Sequence, residues 1–169
     1  MELILWRHAE AAGGDPDSAR PLTEHGRMQA QRMARWLAPR LPANLRIIVS
    51  PARRAQETAL TLARSFETIE SLAPGTDVAT LLRVAGWPEA GRPVMLVGHQ
   101  PTLGEIAARL IDGRQASWQI GTGAVWWLRR NQWGRSPLKG NVPFSRGDAA
   151  LLLAIEPEIL ELARNRDGH

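Results

Sequence analysis

The chain has 169 residues, a length that suits one domain and buries a core without covalent staples. It contains no cysteine, which excludes disulfides, thiolate metal sites and cysteine nucleophiles. The formal charge is only +4 although the pI is near 11.1: Lys139 is the single lysine, and the other twenty basic residues are arginines, which hold their proton past about pH 12. That modest excess favours anionic ligands and gives little reason to expect nucleic acid as a partner. Glu2 precedes a short apolar run with no basic leader, and no apolar stretch approaches the ~20 residues of a membrane span. A cytoplasmic protein with no membrane partner is therefore expected.

In chain order, Glu2 to Trp6 is an apolar run of strand length, read as a buried parallel strand that runs into Arg7-His8. Ala11 to Pro21 is a loop with turn chemistry at Gly13-Gly14-Asp15-Pro16. Thr23 is a candidate N-cap for a helix carrying Ala30, Met33, Ala34, Leu37 and Leu41, ended by Pro39 and Pro42. Arg46 to Val49 is a second strand. It meets Ser50-Pro51, read as a cap and a first-turn proline, opening a helix with Ala55, Ala59, Leu62 and Phe66 on one face. Asp77 is a candidate cap for a helix ending near Ala85. Pro93 to Val97 is a third buried strand, ending in Gly98-His99-Gln100-Pro101. Thr102 then caps a helix with Leu103, Ile106, Ala107, Leu110 and Ile111 on one face and Gly113 as its stop. Thr122 to Leu128 and Ala149 to Ile155 read as further strands, with one ring of Trp126-Trp127 inward and the other near the surface. Pro157 opens a terminal helix through Ala163, and the last residues read as a frayed tail.

This order implies an α/β fold, a three-layer sandwich with a mostly parallel central sheet and an antiparallel pair at one edge. No repeat or linker divides residues 1–169, so a single domain is expected. In such sheets ligands bind at the carboxyl ends of the strands. Two strands end in histidine, at Arg7-His8 and Gly98-His99, and a third runs into Ser50-Pro51-Ala52-Arg53-Arg54-Ala55. If all three run parallel, one crevice gathers two histidines, arginines and a helix start: an anion site that contains a nucleophile. Phosphoryl transfer needs such a set, because fixed cations stabilise the charge spread over the transferring oxygens. Arg53 and Glu57 are four apart and form a solvent-side pair, which leaves Arg54 to border the buried face.

These residues resemble the histidine phosphatase superfamily, with its phosphoglycerate-mutase-like fold, and within it the SixA-type phosphohistidine phosphatases. The likeness rests on Leu5-Trp6-Arg7-His8-Ala9-Glu10-Ala11, Arg20-Pro21-Leu22-Thr23-Glu24-His25-Gly26, Ser50 through Ala59, Pro74-Gly75-Thr76-Asp77 and Val97-Gly98-His99-Gln100-Pro101. They arrive in family order and reach to about Gly123. The resemblance implies that His8 is the nucleophile, that Arg7, Arg54 and His99 complete the phosphate pocket, and that Arg20 comes near the phosphate. It calls for no metal and no cofactor. To attack, His8 must be neutral, with one ring nitrogen donating to a fixed acceptor.

Two departures stand out. The usual glycine after the nucleophile is Ala9, which costs roughly 1 kcal/mol if that position needs φ > 0. No residue matches the general acid of the phosphomonoesterase and mutase branches; Asp77 and Glu10 are the carboxylates left to consider. An alkoxide leaving group needs a proton donor whereas a protonated imidazole does not, so this absence leans toward P–N cleavage. The expected substrate is a phosphorylated protein carrying phosphohistidine. The alternatives are a small phosphoester, or an inactive module that binds phosphate or acidic partners. The basic, aromatic segment from Arg129 to Arg146 reads as a solvated loop between two strands.

Overall fold

The computed structural model describes residues 1–131 and 147–160. Its six strands are β1 (Glu2–Arg7), β2 (Arg46–Val49), β3 (Glu67–Thr68), β4 (Val94–Gly98), β5 (Val125–Arg130) and β6 (Ala149–Ile155), in the sheet order β3-β2-β4-β1-β5-β6. The helices are α1 (Glu24–Leu37), α2 (Arg53–Leu60), α3 (Val78–Ala85) and α4 (Thr102–Asp112). Pairing is parallel from β3 through β1 and antiparallel from β1 through β6, so the expected mixed sheet is present.

Alternation along the central strands builds the three layers. Leu3 and Leu5 of β1, Ile48 of β2 and Leu96 of β4 face one side, where Leu82, Leu103, Ile106 and Leu110 of α3 and α4 cover them. Ile4 and Trp6, Val49, and Met95 and Val97 face the other side, against Met33, Ala34 and Leu37 of α1 and Ala55 and Ala59 of α2. Both faces of these strands are therefore dry, which is why their sequences are continuous apolar runs rather than alternating ones.

The helix starts partly differ from expectation. Thr23 caps α1 by accepting from the Gly26 N–H, and Asp77 caps α3 by accepting from Thr80. Gly113 closes α4 in the left-handed region, as its position predicts. Ser50 is not a cap: α2 begins three residues later, after Ala52. Thr102 does not cap α4 either; it is the first helical residue, and its hydroxyl donates to the Thr76 carbonyl at 2.8 Å. Helix α2 stops at Leu60 because the N–H groups of Thr61, Leu62 and Ala63 turn back to carbonyls three residues behind, so Leu62 and Phe66 pack from beyond the helix.

The strand predicted over Thr122 to Leu128 lies later, at Val125–Arg130. Residues 121–124 form a turn in which Gly123 takes a left-handed φ of 73° and donates its N–H to the His8 carbonyl. Trp126 and Trp127 are both half-buried, on opposite faces, rather than one in and one out. Ala9 is not among the residues with positive φ, so the strain its side chain would carry there does not arise; the methyl sits buried with Leu22 and Ala30. Most of the basic segment and the last part of the helix predicted from Pro157 through Ala163 lie outside the described residues; Arg129 pairs with Glu2, and Arg130 with Glu89. Among the described residues no helix is long and apolar enough to cross a membrane.

Candidate active site

The register of two neighbouring strands makes the site. Arg7 lies opposite Gly98 in the β1–β4 ladder, so the residues that follow, His8 and His99, leave the sheet side by side. The His8 N–H donates to the Gly98 carbonyl at 3.0 Å, and the imidazole centroids are 5.0 Å apart, tilted by 53°. Strand β2, on the other side of β4, delivers Ser50 and then α2 to the same end of the sheet.

His8 Nδ1 lies 2.7 Å from the Ala9 carbonyl oxygen. A carbonyl only accepts, so Nδ1 carries the proton and Nε2 presents its lone pair. Arg54 Nε donates toward that lone pair at 3.3 Å. The rest of the buried Arg54 guanidinium is held by Asp17, whose carbonyl accepts from Nη1 at 2.6 Å and whose Oδ2 accepts from Nη2 at 2.8 Å. Arg7 is anchored differently, donating from Nη1 to the Ile120 carbonyl at 2.7 Å, with its buried Nε left without a partner among the described residues. His99 bonds through Nε2 to Ser50 Oγ at 2.7 Å, and its buried Nδ1 is likewise without a partner there.

Arg20 stands at the rim, donating from Nε to the Ala12 carbonyl and from Nη1 to Asp17 Oδ1 at 2.8 Å. Asp17 thereby ties Arg20 to Arg54, and those two arginines hold its carboxyl below the usual range. Arg53 pairs with Glu57 at 2.6 Å on the solvent side, as its spacing predicts. Glu10 and Asp77 are engaged elsewhere, with Thr23 and His25 and with the first turn of α3 respectively, and these bonds lower both carboxyls. Neither is tuned to donate a proton near neutral pH. Burial instead raises Glu156, whose charge is felt by Arg7.

Both imidazoles are held neutral. Burial is the largest cause for His8, with Arg54, Arg7 and Arg20 adding to it against the opposing pull of the Ala9 carbonyl, and its pKa falls to about 4. His99 falls to about 3, by burial first and then by its neighbours His8 and Arg54. The arrangement places a neutral imidazole lone pair among fixed cations, a combination able to attack and hold a phosphoryl group. Among the described residues no cluster of three or more His, Cys, Asp or Glu is arranged to hold a metal ion.

Sequence reasoning missed Asp17 and Ser50. Asp17 opens a one-turn 3-10 helix, Asp17–Ala19, within the first loop, where only its three-residue spacing from Arg20 hints at a pair, and Ser50 before a proline reads as a cap.

The family model of the histidine phosphatase superfamily (branch 1) matches residues 3–74. The phosphohistidine phosphatase SixA of Escherichia coli K12 is 33% identical over 122 residues, which cover 67% of this chain and 76% of that protein. A SixA homologue of Haemophilus influenzae is 35% identical over 131 residues, covering 68% and 79%. The structure of the protein histidine phosphatase SixA complexed with tungstate superposes with a TM-score of 0.76 at 25% identity, over 95% of this chain and 99% of that one. The fold is shared with a mycobacterial glucosyl-3-phosphoglycerate phosphatase, at a TM-score of 0.63 and 23% identity over 90% and 97%. With the ordered motifs, the sheet and these relatives in agreement, the chain belongs to the histidine phosphatase superfamily, among its SixA-like members.

Proposed function

We propose that this protein is a phosphatase that works through a phosphohistidine on His8 and dephosphorylates phosphohistidine in a phosphorylated protein. The observation that carries the reading is the pair of buried nitrogens without partners among the described residues, Arg7 Nε and His99 Nδ1, beside a His8 whose tautomer leaves the lone pair on Nε2, where Arg54 Nε meets it. Buried polar nitrogens normally find partners, and the oxygens of a phosphoryl group on His8 Nε2 are acceptors of the right charge for the Arg7 Nε–H, and for His99 Nδ1 when that nitrogen carries a proton.

In the first step His8 Nε2 forms a bond to phosphorus as the bond to the leaving nitrogen breaks. Arg7, Arg54 and His99 hold the equatorial oxygens, with Arg20 near them at the rim, and stabilise the charge as it spreads. The leaving imidazole is protonated before departure, which removes the need for a dedicated acid. Water then attacks phospho-His8, releasing inorganic phosphate and restoring the neutral ring. No step calls on a metal or a cofactor.

The test is phosphate release, without added metal, from a phosphohistidine-bearing protein and from a panel of sugar and nucleotide phosphates. The expected result is preference for the phosphohistidine protein, with radiolabel trapped on the enzyme after rapid quenching. A second reading, a small-molecule phosphomonoesterase, is favoured by the fold shared with a glucosyl-3-phosphoglycerate phosphatase; preference for a phosphoester would establish it. Phosphate binding without any trapped label would leave a binding module instead.

A further inference from the structure

His99 poses a question that its position at the site does not answer: which of its nitrogens carries the proton. A neutral imidazole is a donor at one nitrogen and an acceptor at the other, and the partner of one decides the role of the other. Among the described residues this ring bonds to Ser50, whose Oγ is 2.7 Å from Nε2, and both residues are buried.

The Ser50 hydroxyl has one proton to give. Its oxygen already accepts from the Ala52 N–H at 3.2 Å, a bond set by the turn between β2 and α2. If it also accepted from His99, its own proton would have no acceptor among the described residues, and His99 Nδ1 would be a bare, buried lone pair. If it donates, the Ser50 proton is satisfied, Nε2 is the acceptor, and Nδ1 carries a proton. That proton sits on a nitrogen without an acceptor among the described residues, on a ring whose centroid is 5.0 Å from that of His8, the residue that follows Arg7 and its likewise partnerless Nε.

We infer that Ser50 is a positioning residue: by donating to His99 Nε2 it fixes the Nδ1–H tautomer and makes that nitrogen a hydrogen-bond donor to the bound phosphoryl group. In the opposite tautomer Nδ1 would turn a lone pair toward the phosphoryl oxygens and repel them. The serine does at His99 what the Ala9 carbonyl does at His8, with the opposite outcome. One histidine is left with a lone pair for phosphorus, and the other with a proton for oxygen. The consequence for phosphate rests on the function proposed above; the tautomer itself is a property of the unliganded chain.

The experiment is long-range 1H–15N NMR on the full chain with 15N-labelled histidine at pH 7, with His99→Gln used to assign the His99 signals. The expected spectrum has Nδ1 protonated and Nε2 bare at His99. In Ser50→Ala the ring shifts toward the Nε2–H form and the dissociation constant for inorganic phosphate rises roughly tenfold, the loss of one hydrogen bond to a charged acceptor. Ser50→Thr, which keeps the hydroxyl, restores the Nδ1–H signal. A serine with a merely structural role would change stability and leave the tautomer alone. An Nε2-protonated His99 in the parent protein overturns the inference, and that spectrum decides even if Ser50→Ala fails to fold. An unchanged tautomer in Ser50→Ala overturns it as well. Because the spectrum needs no turnover, failure of the phosphatase reading would show separately, as absent phosphate release with the tautomer intact.

Discussion

The two halves of the sheet differ in what they hide and in what they supply. Strands β2, β4 and β1, parallel to one another, bury Ile48, Val49, Leu96, Val97, Leu5 and Trp6 between two layers of helices. Strand β6, antiparallel at the edge, leaves Ala150, Leu151, Leu152 and Ala154 exposed. Every charged or polar side chain proposed to touch phosphate, apart from Arg20 at the rim, leaves the carboxyl end of the parallel half. The antiparallel half contributes backbone: the carbonyl of Ala124 accepts the Arg7 N–H, that of Ile120 accepts the Arg7 guanidinium, and that of Gly123 accepts the Trp6 indole N–H. A double-sided core thus sets the groups proposed to react, and a half-open flank braces them. This division is physically sensible, because sub-ångström placement of a nucleophile needs elements that packing locks from both sides.

The largest expected effect tests the chemical side of that division. Replacing His8 with alanine removes the lone pair aimed among the arginines, so turnover should fall by roughly a thousandfold or more, with no phosphoenzyme trapped. The fold should survive, since His8 is only half-buried at the strand end, and circular dichroism checks this. Turnover close to that of the parent would move the chemistry off β1 altogether. The packing side is tested by two leucines. Leu96→Ala, fully buried in β4, should cost about 3 kcal/mol in a urea titration. Leu152→Ala, 45% exposed in β6, should cost less than about 0.5 kcal/mol. Similar costs at the two positions would erase the distinction between the halves.

The parallel half is also the part legible in the residues alone. Runs such as Leu3-Ile4-Leu5-Trp6 and Val94-Met95-Leu96-Val97 have no polar face, so they need cover on both sides, and their abrupt endings in Arg-His and Gly-His mark the end of the sheet where the proposed chemistry sits. Register is not legible there. Nothing local says that Arg7 faces Gly98, yet that pairing is what sets His8 beside His99. Strand β3 escapes a sequence reading because Glu67 and Thr68 are exposed and carry no apolar signal; they are strand only by pairing with β2. Ser50 and Asp17 escape for a related reason. Their roles come from partners distant in sequence, His99 and Arg54, while local rules assign the same residue types to caps and turns. Ala9 is the converse case: a family pattern raises the prospect of strain, and the backbone there has no positive φ to cause it.

The last effect, smaller than the loss at Leu96, is a pH dependence that belongs to the parallel half. In the unfolded chain His8 takes up its proton near pH 6.5, whereas in the fold it resists until about 4, chiefly because burial penalises the imidazolium. Between those values the unfolded state binds more protons than the native one, so acidification from pH 6.5 toward 4 must lower stability; above that window the two states carry equal charge at this ring and the effect vanishes. His99, held down to about 3, adds a contribution of the same sign. Comparing the urea midpoints of the parent and His8→Ala at pH 7 and pH 5 isolates the His8 share. The parent should lose about 1–2 kcal/mol more than the variant over that interval, since each tenfold difference in proton affinity between the two states is worth ~1.4 kcal/mol. Equal losses in the two proteins would mean that His8 ionises as freely in the fold as outside it. Its neutrality at the strand end, which the proposed attack on phosphorus requires, would then have to come from the bound substrate and not from the protein.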